Sequence, residues 1–391
     1  MTDRITRREL LRRGAVGGAA LTFPSILAAC GGDDGIQGQA QEKTTTKPTD
    51  TTLAKTLTIS NWPLYIDVDE KTKKRPTIEQ FERKYGVKVK YIEDVNDNNE
   101  FFAKIQPQLS NGQAIGRDLI VLTDWMAARL VRLGWLEKLN KDAMPNFDNL
   151  VDALASPAWD PNRDYSLPWQ SGMTGIGYNR KALGRDITSV EELFTAPDLK
   201  GKVIVLTEMG DTVGLTMLAN GDDPAKVTDA AFTRAIKRLK KALDSGQIRQ
   251  FSGNEYSAPL ARGDALGGYF WSGDIIQLQF DNPSLKWTVP DSGGMIWSDN
   301  MLIPKGGDVF TASTFMNFVY GPRVQAQIEA YVNYIPPVKG TRKELVRIDK
   351  SLAKNNLIFP TQATLSKVHQ FDPKAYENED YRRQFEQLLG A

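Results

Sequence analysis

Asp118-Leu119-Ile120-Val121-Leu122 sets an unbroken apolar run behind an aspartate, the pattern of a strand buried on both faces of a parallel sheet. A helix carrying Ala127, Leu130 and Val131 follows it directly. Upstream, Thr56-Leu57-Thr58-Ile59-Ser60 alternates as a strand. The segment Thr77-Ile78-Glu79-Gln80-Phe81-Glu82-Arg83-Lys84-Tyr85-Gly86 then reads as a helix, with Thr77 as N-cap and Gly86 as C-cap. Val87, Val89 and Tyr91 alternate in the next strand. Strand–helix–strand alternation of this kind predicts α/β lobes built on parallel sheets.

The pattern resumes downstream. Ser189-Val190-Glu191-Glu192 fits a capping box, residues 202–206 read as a strand, and 229–244 as a long amphipathic helix. Residues 266–271 form another buried strand, and Met295 to Ile303 a strand leading out of the region. Helices follow over about 309–320, from Pro322 to about Val332, and through Tyr381 to Leu389. Between the two regions lies Tyr165-Ser166-Leu167-Pro168-Trp169-Gln170-Ser171-Gly172-Met173-Thr174-Gly175-Ile176-Gly177-Tyr178-Asn179. It is extended and glycine-punctuated, suited to pass between lobes.

The N-terminus carries a different message. Arg7-Arg8 with Leu10-Leu11, an uncharged stretch from Gly14 to Ala29, and Leu27-Ala28-Ala29-Cys30 have the parts of a secretory signal. Residues 1–29 are read as a twin-arginine lipoprotein signal, and Cys30 as the acylated residue that holds the chain outside the cytoplasmic membrane. The apolar core is shorter than the ~20 residues a spanning helix needs. Residues 30–55 form a polar leash whose composition cannot offset its ordering entropy.

Composition narrows the function. The chain is 41% hydrophobic and 25% charged, normal for a soluble domain, and about 335 residues beyond the leash suffice for two lobes. Loss of residues 1–29 removes five arginines and two acids, leaving 44 basic against 46 acidic residues. No nucleic-acid footprint results. Cys30 is the sole cysteine and His369 the sole histidine, read as a surface or rim residue. Thiol and multi-histidine metal chemistry are thereby excluded, and no P-loop or GxGxxG pattern occurs.

At this point the sequence resembles the spermidine/putrescine-binding proteins that feed polyamine ABC importers. Asn61-Trp62-Pro63-Leu64-Tyr65, Asp118-Leu119-Ile120-Val121 before Thr123-Asp124-Trp125, and Gly293-Gly294-Met295-Ile296-Trp297-Ser298-Asp299 carry the likeness. Tyr165-Ser166-Leu167-Pro168, Phe270-Trp271-Ser272-Gly273 and Tyr334-Ile335-Pro336-Pro337 support it, and it runs from Leu57 to Leu388. The resemblance implies a two-lobed, type II periplasmic-binding-protein clamshell with parallel and mixed sheets and crossing hinge strands. Residues 56–172 and 300–342 would form lobe 1, and 173–299 with 343–391 lobe 2.

A polyamine needs flat apolar walls for its methylenes, π faces for its ammonium groups and carboxylates at its ends. By resemblance the ligand contacts fall on Trp62, Tyr65, Thr123, Trp125, Trp271, Trp297, Asp299, Tyr334 and Gln370. Glu208 and Asp211 join them as the acids past the strand at 203–206, although strict register would put Met209 and Thr212 there. Pro63-Leu64 replaces the more polar residues usual in the family. Trp135, Trp159 and Trp287 are read as structural. Any one of these tryptophans alone would more often be core, but their placement at element ends favours a ligand site.

The expected partners are a polyamine, an ABC permease and, through lipid at Cys30 only, the membrane. No cofactor, metal or nucleic acid is expected, and the resemblance implies a monomer without enzymatic activity. A receptor for another cationic or zwitterionic solute, or an exported hydrolase using Glu208 and Asp211, are the competing readings. A surface sensor that kept the fold is a third.

Overall fold

The computed structural model describes residues 51–69 and 71–390. The expectations placed on Arg7, Arg8, Cys30 and the leash through residue 50 lie outside these described residues. Leu53 already packs on the main core, and the Ala54 amide donates to Thr311 Oγ1 at 2.8 Å. The folded part therefore begins ahead of Thr56.

The strands are β1 (Thr56–Asn61), β2 (Lys88–Glu93), β3 (Leu119–Thr123), β4 (Ser166–Asn179), β5 (Val203–Leu206), β6 (Ile248–Ser252), β7 (Gly267–Trp271), β8 (Leu285–Thr288), β9 (Gly294–Leu302) and β10 (Val368–His369). They form one sheet in the order β2-β1-β3-β9-β4-β7-β5-β6, with β10 on β9 and β8 on β4. β1 lies parallel to β2 and β3, and β5 parallel to β6 and β7. Between these parallel sets run β4 and β9, antiparallel to each other and to their outer neighbours. β5 and β7 are buried at every position and β3 at all but its last. Such strands need cover on both faces, which is why their sequences are apolar runs.

The architecture is thus the expected mixed α/β clamshell, with β4 and β9 as the crossing strands. The C-terminal half of β9 pairs with β3 and the N-terminal half with β10. Along these two strands the sheet passes from lobe 1 to lobe 2. A register break between Pro168 and Gln170 bulges β4 at the crossing; proline has no N–H to give the ladder.

Some boundaries differ from expectation. Pro76 is the first residue of the helix Pro76–Tyr85 and Thr77 lies inside it, because proline supplies the fixed φ of a first helical position. Gly86 ends that helix at φ 71° as expected. Ser189 accepts from the Glu192 amide at 3.2 Å, while the Glu192 carboxylate pairs with Arg185 rather than closing the box. Helix Thr341–Ile348 packs on Pro322–Val332 of lobe 1. Leu345, Leu352, Ala353 and Ile358 share a small core with Ala326 and with Ile276. No helix among the described residues is long and apolar enough to cross a membrane.

Candidate functional site

The carboxyl ends of β1, β3, β5 and β7 converge on one cavity between the lobes, the place where open α/β sheets collect ligands. It holds about 560 Å³ including its mouth. Trp62 and Tyr65 follow β1, Thr123 ends β3, and Trp125 stands in the first turn of Asp124–Leu133. Glu208 and Asp211 follow β5, Trp271 ends β7, Trp297 and Asp299 lie on β9, and Tyr334 follows the helix Pro322–Val332. All ten border the cavity. Gln370 does not. It is exposed and borders an adjoining chamber, just past β10, which pairs with Gly294 and Met295 at the start of β9.

The structure adds Asp274, Tyr376, Asn254, Pro63 and Leu64 to the lining. Asp274 had a readable signal. Asp211 is the third residue of Met209–Ala219 and Asp274 the third of Ser272–Gln279, and each follows a glycine. A Cβ on Gly210 would lie 1.7 Å from Tyr376 Oη, and one on Gly273 would lie 2.4 Å from the Tyr334 ring. In both strand–helix units a Gly-Asp pair therefore admits a tyrosine over the helix start and points the carboxylate inward. Tyr376 and Asn254 sit in single 3-10 turns, too short for periodicity to give a cue.

The carboxylates are positioned by hydroxyl, amide and indole donors. Asp299 accepts from Tyr65 Oη at 2.8 Å and Thr123 Oγ1 at 2.7 Å. Asp274 accepts from Tyr334 Oη at 2.9 Å and Tyr256 Oη at 2.8 Å. Asp211 accepts from Trp271 Nε1 at 2.9 Å and Glu208 from Asn98 Nδ2 at 2.8 Å. Burial pushes Asp299 up to about 7 against the pull of its two donors. It pushes Asp211 up to about 6, and burial followed by the Asp97 charge holds Glu208 well above the usual carboxylate range. These groups are short of positive charge: none of the lining residues is Lys, Arg or His.

Several of the aromatic rings stand edge to face around them. Trp271 lies 6.4 Å from Trp62 and 6.2 Å from Trp297 between centroids, and Tyr334 lies 5.4 Å from Tyr65. Trp297 fits against the other crossing strand because residue 172 is glycine, where a Cβ would come within 2.4 Å of the indole. Trp169, at the β4 bulge, donates to the Tyr65 carbonyl at 3.1 Å and backs that ring. The two lobes are closed on the cavity, joined across it by Asn98–Glu208 and Tyr334–Asp274.

The tryptophans read as structural take different places. Trp135 stacks on Phe102, and Trp287 donates to the Phe270 carbonyl at 2.9 Å. Trp159 is half-buried near Arg163 and borders the adjoining chamber. His369 is half-buried on β10, away from the cavity lining.

Two lobes, crossing strands and a cavity closed between them define a solute-capturing protein. Residues 77–359 match the family described as bacterial extracellular solute-binding protein, and the chain belongs to it. The spermidine/putrescine-binding periplasmic protein of Salmonella typhimurium is 25% identical over 314 residues, covering 80% of this chain and 85% of its own. The putrescine-binding periplasmic protein of Escherichia coli is 28% identical over 344 residues, covering 82% and 88%. The spermidine/putrescine ABC transporter substrate-binding protein of Streptococcus pneumoniae has a similar fold, with a TM-score of 0.68 at 20% identity over 86% of this chain and 100% of its own.

Proposed function

We propose that this protein captures a polyamine outside the cytoplasmic membrane and hands it to an ABC permease. The observation that carries this reading is the cavity wall: four carboxylates and seven aromatic rings with no basic side chain among them. An ammonium group gains there from charge-assisted hydrogen bonds and from ring faces, the latter worth about 0.5–2 kcal/mol each. A zwitterionic ligand would set its own carboxylate against Asp211, Asp274, Asp299 and Glu208 with no cation to meet it, which disfavours the amino-acid reading. Each carboxylate of the acid pair Glu208 and Asp211 is held by a neutral donor and faces aromatic walls, an arrangement for binding rather than hydrolysis. Titration calorimetry should show binding of putrescine and spermidine and none of lysine. Binding of lysine without polyamine would overturn the proposal.

Closure is the second element of the reading. A ligand that touches Trp62, Tyr65 and Tyr334 on one lobe and Trp271 on the other gains most of its contacts only when the lobes meet, so it shifts the population toward the closed form. Small-angle scattering should show the radius of gyration falling when putrescine or spermidine is added, and little change with lysine. Identical scattering with tightly bound ligand would point to a pocket that needs no lobe motion.

Placement in the cell rests on the N-terminal residues. Changing Arg7 and Arg8 to lysine should leave the precursor in the cytoplasm, whereas Cys30→Ser should permit export but abolish acylation and membrane retention. Unchanged fractionation of both variants would refute a twin-arginine lipoprotein. A monomer is the expected state.

A further inference from the structure

Trp125 and Tyr376 lie face to face, with ring centroids 4.4 Å apart and planes 3° from parallel. Trp125 belongs to lobe 1, at the start of Asp124–Leu133; Tyr376 belongs to the lobe 2 segment beyond β10. The pair borders three spaces, one of them a pocket beside Asn96, Thr207 and Glu386; the other two face each other across it. On one side is the ligand cavity. On the other is a second chamber reaching Asp124, Trp159 and Gln370. Thr123, Asp211 and Trp297 also border both, so the stack stands where the two spaces would otherwise run together.

Tyr376 is held in that place. Its hydroxyl rests over Gly210, where a Cβ would come within 1.7 Å. Phe371 packs edge-on against the ring at 5.2 Å, and Arg382 donates to the Tyr376 carbonyl at 3.2 Å. Beside the stack, Glu377 pairs with Arg132 of lobe 1 at 2.8 Å. The second chamber has a carboxylate of its own in Asp124, whose Oδ1 accepts from Asn300 Nδ2 at 2.7 Å. Arg163 borders it too, but its guanidinium already donates to the Leu154 carbonyl, Ser166 Oγ and Asn300 Oδ1.

We propose that the Trp125–Tyr376 stack is the end wall of the ligand cavity and sets the longest polyamine that the closed lobes accept. The chamber behind it is then room for the added aminopropyl segment of a longer chain, with Asp124 to meet its ammonium, once the wall is withdrawn. This inference rests on the polyamine reading and adds a rule of length to it.

The test is calorimetry of putrescine, spermidine and spermine binding to the unmodified protein and to Tyr376→Ala, Tyr376→Phe and Gly210→Ala. Tyr376→Ala removes the ring. Gly210→Ala leaves both rings and every carboxylate in the sequence but displaces Tyr376, and it decides the matter if Tyr376→Ala does not fold. In both, the affinity for spermine relative to putrescine should rise by about tenfold, a difference of about 1.4 kcal/mol; in Tyr376→Phe the ratio should hold. Equal weakening of all three ligands would make Tyr376 an ordinary contact and overturn the length rule. An unmodified protein that binds no polyamine would fail earlier, at the functional reading itself, and would take the length rule with it.

Discussion

Asp299→Asn should weaken polyamine binding by roughly 2–5 kcal/mol, the range for breaking one side of a buried charge pair. The side chain is buried on a crossing strand and takes hydroxyl donors from Tyr65 and Thr123, both of lobe 1. Asparagine keeps its shape and loses its charge, and either hydroxyl can turn to accept from the new amide. The protein should therefore fold normally while the ammonium loses its anchor. Trp297→Ala should cost less, since a cation–π contact contributes about 0.5–2 kcal/mol, yet clearly more than Trp135→Ala, whose ring stacks on Phe102 away from the cavity. Trp159 is a poor control because it borders the adjoining chamber with Trp297. Titration calorimetry of the three variants decides it. Equal affinities would place the ligand elsewhere.

Protons and polyamine should compete for the same carboxylates. In the unfolded chain an aspartate ionises near pH ~3.9; in the folded protein Asp211 and Asp299 are raised to about 6 and about 7. Across that interval the folded state holds protons that the unfolded state has released. The stability these groups contribute is therefore full below the unfolded value and lost as pH rises toward 7. Each unit of pKa is worth about 1.4 kcal/mol per group, so the two shifts, roughly five units together, come to an upper bound on the order of 7 kcal/mol. A dication supplies the missing charge without the protons. The rise in melting temperature given by putrescine or spermidine should thus grow from pH 5 to pH 8, and Asp299→Asn should flatten the ligand-free profile. A ligand increment independent of pH would show that these carboxylates do not meet the ligand.

Much of this site was legible because its residues stand at the ends of strongly patterned strands. Trp125, Glu208 and Trp271 each sit within a few residues of a buried apolar run and Trp62 follows an alternating strand, and the fold carries such positions to one cleft. Glu208 and Asp211 face inward although strict register favoured Met209 and Thr212; the first turn of Met209–Ala219 turns Asp211 toward Trp271. Asp274 lies one turn past Trp271, inside the helix that follows, where Gly273-Asp274 repeats the Gly210-Asp211 device. Gln370 lies off the cavity and Tyr376 on it, and the sequence gives no cue to either for one reason. Past Pro360 the chain has little periodic structure before Glu379, so direction cannot be read from spacing. Thr77 failed as a cap because Pro76 outranks it at the helix start.

The single sheet has a kinetic meaning. β9 is the strand that joins β3 to β4, and it is made of residues 294–302, at the end of the first and longer stretch of lobe 2 in chain order. Lobe 1 therefore cannot complete its sheet while the chain is being made until most of lobe 2 has emerged, and β7 in turn needs β4 beside it. Pairings across such sequence distances form slowly, and until they form β3 and β4 present open edges to any neighbouring chain. A fragment ending before Gly294 should aggregate rather than fold as half a protein. The nascent chain would need either holding by a chaperone until Leu302 is available or an export route that waits for the finished fold.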